Sequence, residues 1–189
     1  MIKQPHTSSA VERQAQLEQS FLELLKARPY PQITVTDICK NAAIPRRTFY
    51  HYFDSKDAVL RSMIDGMIRR CSMEVVLDLE GDYDTLKASL TRNFHYWLES
   101  VRPMTDALLE NNLEGELVSQ AIKWVNEEQC GISRRAGLNA KQIEIATTAG
   151  IASFFAILHY WRNNNYQETP EEMAEYTAWF LAEPLFRKN

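Results

Sequence analysis

Apolar residues recur at helical spacing almost from the start of the chain. From Ser9 to Lys26 they fall at Val11, Ala15, Leu17, Phe21, Leu22, Leu24 and Leu25, with polar and charged residues between them, which predicts an amphipathic helix. Pro29 and Pro31 stop it. In Ile33-Thr34-Val35-Thr36-Asp37-Ile38-Cys39, Thr34 with Asp37 three residues on reads as an N-cap pair, opening a second helix that ends near Ala42 or Ala43. Pro45 suits the first turn of a third helix, Arg46 to Tyr52, because a first-turn residue has no intrahelical partner for its N–H, and Ile44 before it is pushed out of helical geometry. Two short helices joined by about three residues have the proportions of a helix-turn-helix.

A fourth, longer helix is expected after the Asp54-Ser55 cap signal. Its apolar positions Val59, Leu60, Met63, Ile64, Met67 and Ile68 continue toward Leu77 or Leu79, and it serves as a connector, 55–79, between head and body. Breaks at Gly81-Asp82, Pro103, Asn111-Asn112, Gly115, Gly137-Leu138-Asn139 and Asn163-Asn164-Asn165 leave helical runs near 83–100, 103–111, 115–135, 140–162 and 170–187. The last opens on Thr169-Pro170-Glu171-Glu172, an N-cap, a first-turn proline and a capping-box glutamate.

Leu, Ala, Glu, Gln, Arg and Met fill the long segments, with 6 Gly and 7 Pro scattered through 189 residues. The expected class is all-α, about nine helices: a three-helix head over residues 1–54 and a helical body over 55–189. No repeat or low-complexity segment interrupts it.

Charge sharpens this division. Residues 1–70 hold 11 Lys and Arg against 7 Asp and Glu, whereas residues 71–189 hold 10 against 18, within a net charge of −4. A basic head on an acidic body suits a module that touches phosphate while its body is repelled from the duplex, although charge also fluctuates between halves without function. The cysteines, Cys39, Cys71 and Cys130, are odd in number and lack CxxC spacing, so neither a disulfide framework nor a zinc site is expected. No cofactor and no metal is expected, and no GxSxG, HExxH, phosphate loop or dinucleotide fingerprint points to an enzyme. No stretch approaches the roughly 18 uninterrupted apolar residues of a membrane span. A cytoplasmic protein without a membrane partner is the expectation.

The densest information lies in ITVTDICKNAAIPRRTFYHYFDSKDAVL, residues 33–60. Through Thr34, Asp37, Ile38 and Ala42, then Thr48-Phe49-Tyr50-His51-Tyr52-Phe53, then Ser55-Lys56-Asp57-Ala58-Val59-Leu60, it resembles the TetR family of bacterial transcriptional regulators. On the third helix Phe49 and Phe53 lie four apart and can face the core, leaving Arg46, Arg47, Tyr50 and His51 outward. Arginine pairs bidentately with guanine O6 and N7, so Arg46 and Arg47 are the expected base readers. The resemblance implies phosphate contacts at Thr36, Thr48, Tyr50 and Lys56, a task for which hydroxyls and an ammonium are suited. Helix N-termini also favour phosphate near Thr36 and Lys56. Tyr50 and Tyr52 could instead be packing aromatics. Ala43 departs from the family, which more often has glycine at this turn; a positive φ there costs alanine about 1 kcal/mol.

For the body, the resemblance implies dimerisation through the last two long helices and an effector pocket. Small residues on 140–162 and aromatic residues on the final helix suggest an isologous interface at Ala149, Ser153, Ala156, Tyr160, Tyr176, Trp179 and Phe180. Leu90, Phe94, Trp97, Met104, Leu108, Trp124, Phe155 and His159 are candidate pocket residues for a small apolar or aromatic effector, against the alternative that an aromatic stripe is ordinary core. His95 and Tyr96 are further polar candidates there. Cys71 is either a thiol sensor or a buried, inert residue. The expected function is a ligand-released dimeric repressor on a palindromic double-stranded DNA operator. The alternative is a protein-interaction or recruitment factor using the same fold.

Overall fold

The computed structural model describes residues 8–74, 82–128 and 139–182. Cys130 and the expected helical segments 75–79, 129–135 and 183–187 lie outside them. The described residues are helical throughout their regular structure and form two compact units, one built from residues up to Met67 with Pro103–Gln120, the other from Ile68–Arg102 with residues from Ala121 onward.

In the first unit, α1 (Ser8–Ala27) buries Leu17, Ser20, Phe21 and Leu25 on one face. Each fully buried Leu or Phe contributes roughly 1.5–3 kcal/mol. Ser20 is satisfied where it lies, its Oγ donating to the Ile38 carbonyl at 3.0 Å. After a single 3-10 turn (Tyr30–Gln32), α2 (Val35–Asn41) opens on the expected capping box: the Asp37 N–H donates to Thr34 Oγ1 and the Thr34 N–H to the Asp37 carboxylate. It closes at Ala43, where φ is 51°. The Ile44 N–H reaches the Cys39 carbonyl at 2.9 Å and the Ala43 N–H the Lys40 carbonyl at 3.2 Å, the paired bonds of a Schellman ending.

Helix α3 (Arg46–Tyr52) follows, with Phe49 and Phe53 wholly buried. Pro45 is the residue before its first turn, one position earlier than expected, and its carbonyl accepts the Phe49 N–H at 3.1 Å. Ser55 caps α4 (Lys56–Glu74) by accepting the Ala58 N–H at 3.2 Å.

The expected break at Pro103 is not a break. Helix α5 (Tyr83–Tyr96) passes through one wide π-helical turn (Trp97–Val101) directly into α6 (Arg102–Glu110). The Arg102 N–H bonds to the Trp97 carbonyl, five residues back. Proline has no N–H and its ring collides with the carbonyl four residues before it; shifting to the wider pattern one turn earlier lets the helix accommodate it as the second residue of α6. In the first unit Asn111 ends α6, donating to Leu25 and Ala107 carbonyls at 2.9 and 2.8 Å while its Oδ1 accepts the Tyr30 N–H at 2.6 Å. Glu114–Glu128 is α7.

In the second unit α8 (Ala140–Asn163) opens on an Asn139–Gln142 capping box, and α9 (Pro170–Ala182) on the expected one, Thr169 with Glu172. Helix α5 packs along α9: Leu86, Leu90 and Phe94 are buried on the one, Met173, Ala174 and Ala178 on the other. Glu175 joins them at the surface by accepting from Tyr83 and pairing with Lys87.

Candidate nucleic-acid interface

On the seven residues of α3, burial separates two faces. Phe49 packs edge-on to Tyr50 and tilted against Phe53, with ring centroids 5.4 and 5.9 Å apart, and fixes the roll of the helix. Arg46, Arg47, Tyr50 and His51 are exposed, while Thr48 and Tyr52 are half-buried. Arg46 Nη2 donates to the Tyr50 hydroxyl at 3.3 Å, one helical turn away. The expected readers thus share one surface of donors and acceptors.

Thr36 is half-buried in the first turn of α2. Beside it, Asp37 accepts from both the hydroxyl and the N–H of Thr34 and pairs with Arg28 at 3.3 Å, which hold its carboxyl below the ordinary carboxylate range. Lys56 is half-buried, and its Nζ donates to the carbonyls of Tyr30 and Ile33 at 2.8 and 2.9 Å. The Tyr30 hydroxyl donates to Asp57, and burial followed by that bond raises the Tyr30 pKa. Tyr30 was not among the sequence candidates; a tyrosine between two prolines signals a loop, and nothing in that pattern reveals a partner 27 residues away.

The candidate pocket residues divide. Leu90, Phe94 and Trp97 are buried on the α5 side of the second unit, where Phe155 and Trp124 are half-buried and His159 is exposed. Met104 and Leu108 are buried in the first unit. His95 Nε2 lies 2.7 Å from Glu171 Oε1 on the α5–α9 surface. Around Phe94 and Trp97 gather Phe154, Trp161 and Tyr166, with neighbouring centroids 5.5–6.0 Å apart. Tyr166 escaped notice because it follows three asparagines that read only as a break.

Of the candidate interface residues, Ala149, Ala156, Tyr160, Tyr176 and Trp179 are exposed and Ser153 and Phe180 half-buried. Ile145, 60% exposed, extends the α8 stripe by a turn. By length and composition alone α8 is apolar enough to cross a membrane, and only 11% of its most apolar window is buried. No cluster of metal-ligating residues occurs among the described residues. Burial pushes the Cys71 thiol up to about 11, which keeps it protonated and unreactive at neutral pH.

Among the described residues, a short, capped helix, a tight left-handed turn and a second helix showing a basic, aromatic exposed face form a helix-turn-helix, an arrangement that suits the reading of DNA. Residues 22–63 match the model for "Bacterial regulatory proteins, tetR family". The chain is 44% identical over 62 residues to the HTH-type transcriptional regulator EthR of Mycolicibacterium smegmatis, covering 33% of this chain and 29% of that protein. It is 39% identical over 69 residues to EthR of Mycobacterium tuberculosis, covering 36% and 32%. The chain thus matches under a third of the length of these curated relatives. Over almost its whole length the fold is that of the fatty acid degradation regulator FadR from Bacillus halodurans, with a TM-score of 0.63, 16% identity, and coverage of 98% of this chain and 100% of that one. The dihydroxyacetone kinase operon activator DhaS shares it at a TM-score of 0.55 and 19% identity, with 91% and 95% covered. Residues 22–63 are thus similar to the helix-turn-helix head of the TetR-family regulators, and the rest of the chain shares their fold.

Proposed function

We propose that the chain is a homodimeric, cytoplasmic repressor that binds a palindromic operator and is released by a small apolar or aromatic effector, with residues 1–54 as reader and 55–189 as effector-binding and dimerisation domain. One observation carries the reading: Phe49 anchors α3 while Arg46, Arg47, Tyr50 and His51 stand exposed on the same seven residues. Arg46 and Arg47 read base edges in the major groove. Thr36, Thr48, Tyr50 and His51 contact the backbone and set the register. Lys56 contributes by holding the turn before α2, with its remaining N–H directed to phosphate.

Two such heads, about 34–36 Å apart, would enter successive major grooves. The apolar stripe Ile145, Ala149, Ser153, Ala156 and Tyr160 on α8, with Tyr176 and Trp179 on α9, supports pairing with a second copy, since a stripe repeating at four and three residues suits a helical neighbour. An effector with different affinity for two head separations shifts the population and weakens DNA binding by that difference. Repression rather than activation is the commoner arrangement in the family, although DhaS is named an activator.

The test is a fluorescence-anisotropy titration against DNA upstream of the chain's own gene, at two salt concentrations, with Arg46→Ala beside the parent. The expected result is tight, salt-sensitive binding, with the variant losing about 5–150-fold of its discrimination at one base pair, equivalent to roughly 1–3 kcal/mol. Equal affinity for that DNA and random duplex at both salts refutes operator recognition there.

A further inference from the structure

Among the described residues four buried side-chain polar atoms lack a partner: Gln14 Oε1, Trp97 Nε1, Glu168 Oε2 and Thr177 Oγ1. Gln14 and Glu168 hydrogen-bond through their other polar atoms, and a threonine hydroxyl can rotate toward a carbonyl of its own helix. Trp97 has no such freedom. Its single N–H points where the ring points, and the residue is 4% exposed.

The surroundings are aromatic. Trp97 lies against Trp161 with centroids 5.6 Å apart and planes 33° from parallel, and against Tyr166 at 5.8 Å. Trp161 has its acceptor, the Glu168 carbonyl at 2.9 Å. Two stacked indoles therefore differ: one donor is satisfied by the chain and the other is not. Tyr166, half-buried, covers them from a backbone with φ of 56°, a strained value for an aromatic residue, and its ring carries the Arg102 guanidinium 4.8 Å from its centre. Trp97 stands on the π-helical turn, which alters the angle at which its side chain leaves the helix.

We propose that Trp97 Nε1–H is the hydrogen-bonding anchor of the effector, and that the effector is an uncharged aromatic or apolar molecule carrying a carbonyl, ester or ether oxygen. This rests on the reading of the body as effector-binding and gives that reading a ligand class. A neutral acceptor suits this site, because the rings carry no charge of their own and Arg102, the cation beside them, is already engaged over Tyr166. Tyr166, half-buried where Trp97 and Trp161 are buried, is the ring that yields on entry.

The experiment uses the full-length protein labelled with 15N and the shape-matched probes acetophenone and ethylbenzene, which differ in the acceptor. Trp97→Phe identifies the Trp97 indole signal by its disappearance. Acetophenone is expected to move that signal downfield and ethylbenzene to leave it in place, with acetophenone bound about tenfold tighter and that advantage lost in Trp97→Phe. If the variant fails to fold, the signal is assigned in the parent by its nuclear Overhauser contacts with the neighbouring Tyr166 ring, and its downfield shift alone then supports the proposal. Equal affinity for both probes with the indole unmoved overturns the anchor and leaves the effector-binding reading of the body standing. Binding of neither probe up to its solubility, or a water in persistent contact with the indole at saturation, also overturns the anchor. DNA release is measured separately, so failure of the regulatory reading would not be mistaken for failure of this one.

Discussion

The Lys56 ammonium lies 4.2 Å from the centre of the Tyr30 ring and donates to that residue's own carbonyl. With its second bond, to Ile33, and the Tyr30 hydroxyl on Asp57, it ties the turn before α2 to the first turn of α4. A residue that the family pattern places against phosphate thus also determines where the recognition unit begins.

Lys56→Met keeps most of the apolar stem and removes the donor. It is expected to lower unfolding stability by about 1.5–3 kcal/mol, the usual worth of hydrogen bonds to a charged group. Urea denaturation checks this through a lower midpoint at an unchanged slope. A variant as stable as the parent, with only a shallower salt dependence of DNA binding, would make Lys56 a phosphate contact and nothing more.

Ala43 sits at φ 51°, where a Cβ is penalised by about 1–2 kcal/mol. Glycine removes the penalty but loosens the denatured chain by about 0.4–1 kcal/mol. Ala43→Gly should therefore gain about 0.5–1 kcal/mol, and Ala43→Val should lose stability. Thermal melts of the three proteins test the order, which fails if glycine ranks below alanine.

Hydrogen bonds from Thr34, then the pair with Arg28, depress the Asp37 pKa below 3.8. A carboxyl whose folded pKa is depressed contributes stability above its unfolded value, and that contribution disappears as the pH falls through the folded one. Melting temperatures between pH 7 and pH 3 should therefore drop more steeply below about pH 4 in the parent than in Asp37→Asn. Parallel curves would show that the capping carboxylate is not coupled to folding.

Tyr160→Glu and Trp179→Glu place carboxylates in the proposed contact between copies. The parent chain of 21.9 kDa is expected to sediment as a dimer. Each variant should dissociate at about a hundredfold higher concentration or more, because an unpaired buried charge costs several kcal/mol. A parent that sediments as a monomer at micromolar concentration removes α8 and α9 as the interface.

Much of the head, and the start of the last helix, was legible because the signals are local. Thr34 with Asp37, Ser55, and Thr169 with Glu172 announce helix starts by residue type and spacing, and each forms the expected cap. Phe49 and Phe53 fall inward because four residues return to the same helical face. Pro103 misled because a proline forbids one hydrogen-bonding pattern without forbidding the helix, and the wider turn that rescues it has no signature in residue order. The sites held together by distant residues were likewise hidden. Tyr166 reaches Trp97 across 69 positions and Lys56 reaches Tyr30 across 26, so only folding brings these partners together.

The bond from Arg46 to Tyr50 has a bearing on how a recognition code could be extracted from this head. In the free protein the arginine's fork already bonds along the helix, so less motion would be frozen in the base contact proposed for it. If Arg46 reads a base as proposed, changing Tyr50 would alter what it reports, and changing Arg46 would alter where the tyrosine hydroxyl rests. A table of preferences compiled one substitution at a time would assign to each residue a share that belongs to both. The two side chains are better regarded as a single letter of the protein's alphabet, whose meaning emerges only when both are exchanged together and the four combinations are compared.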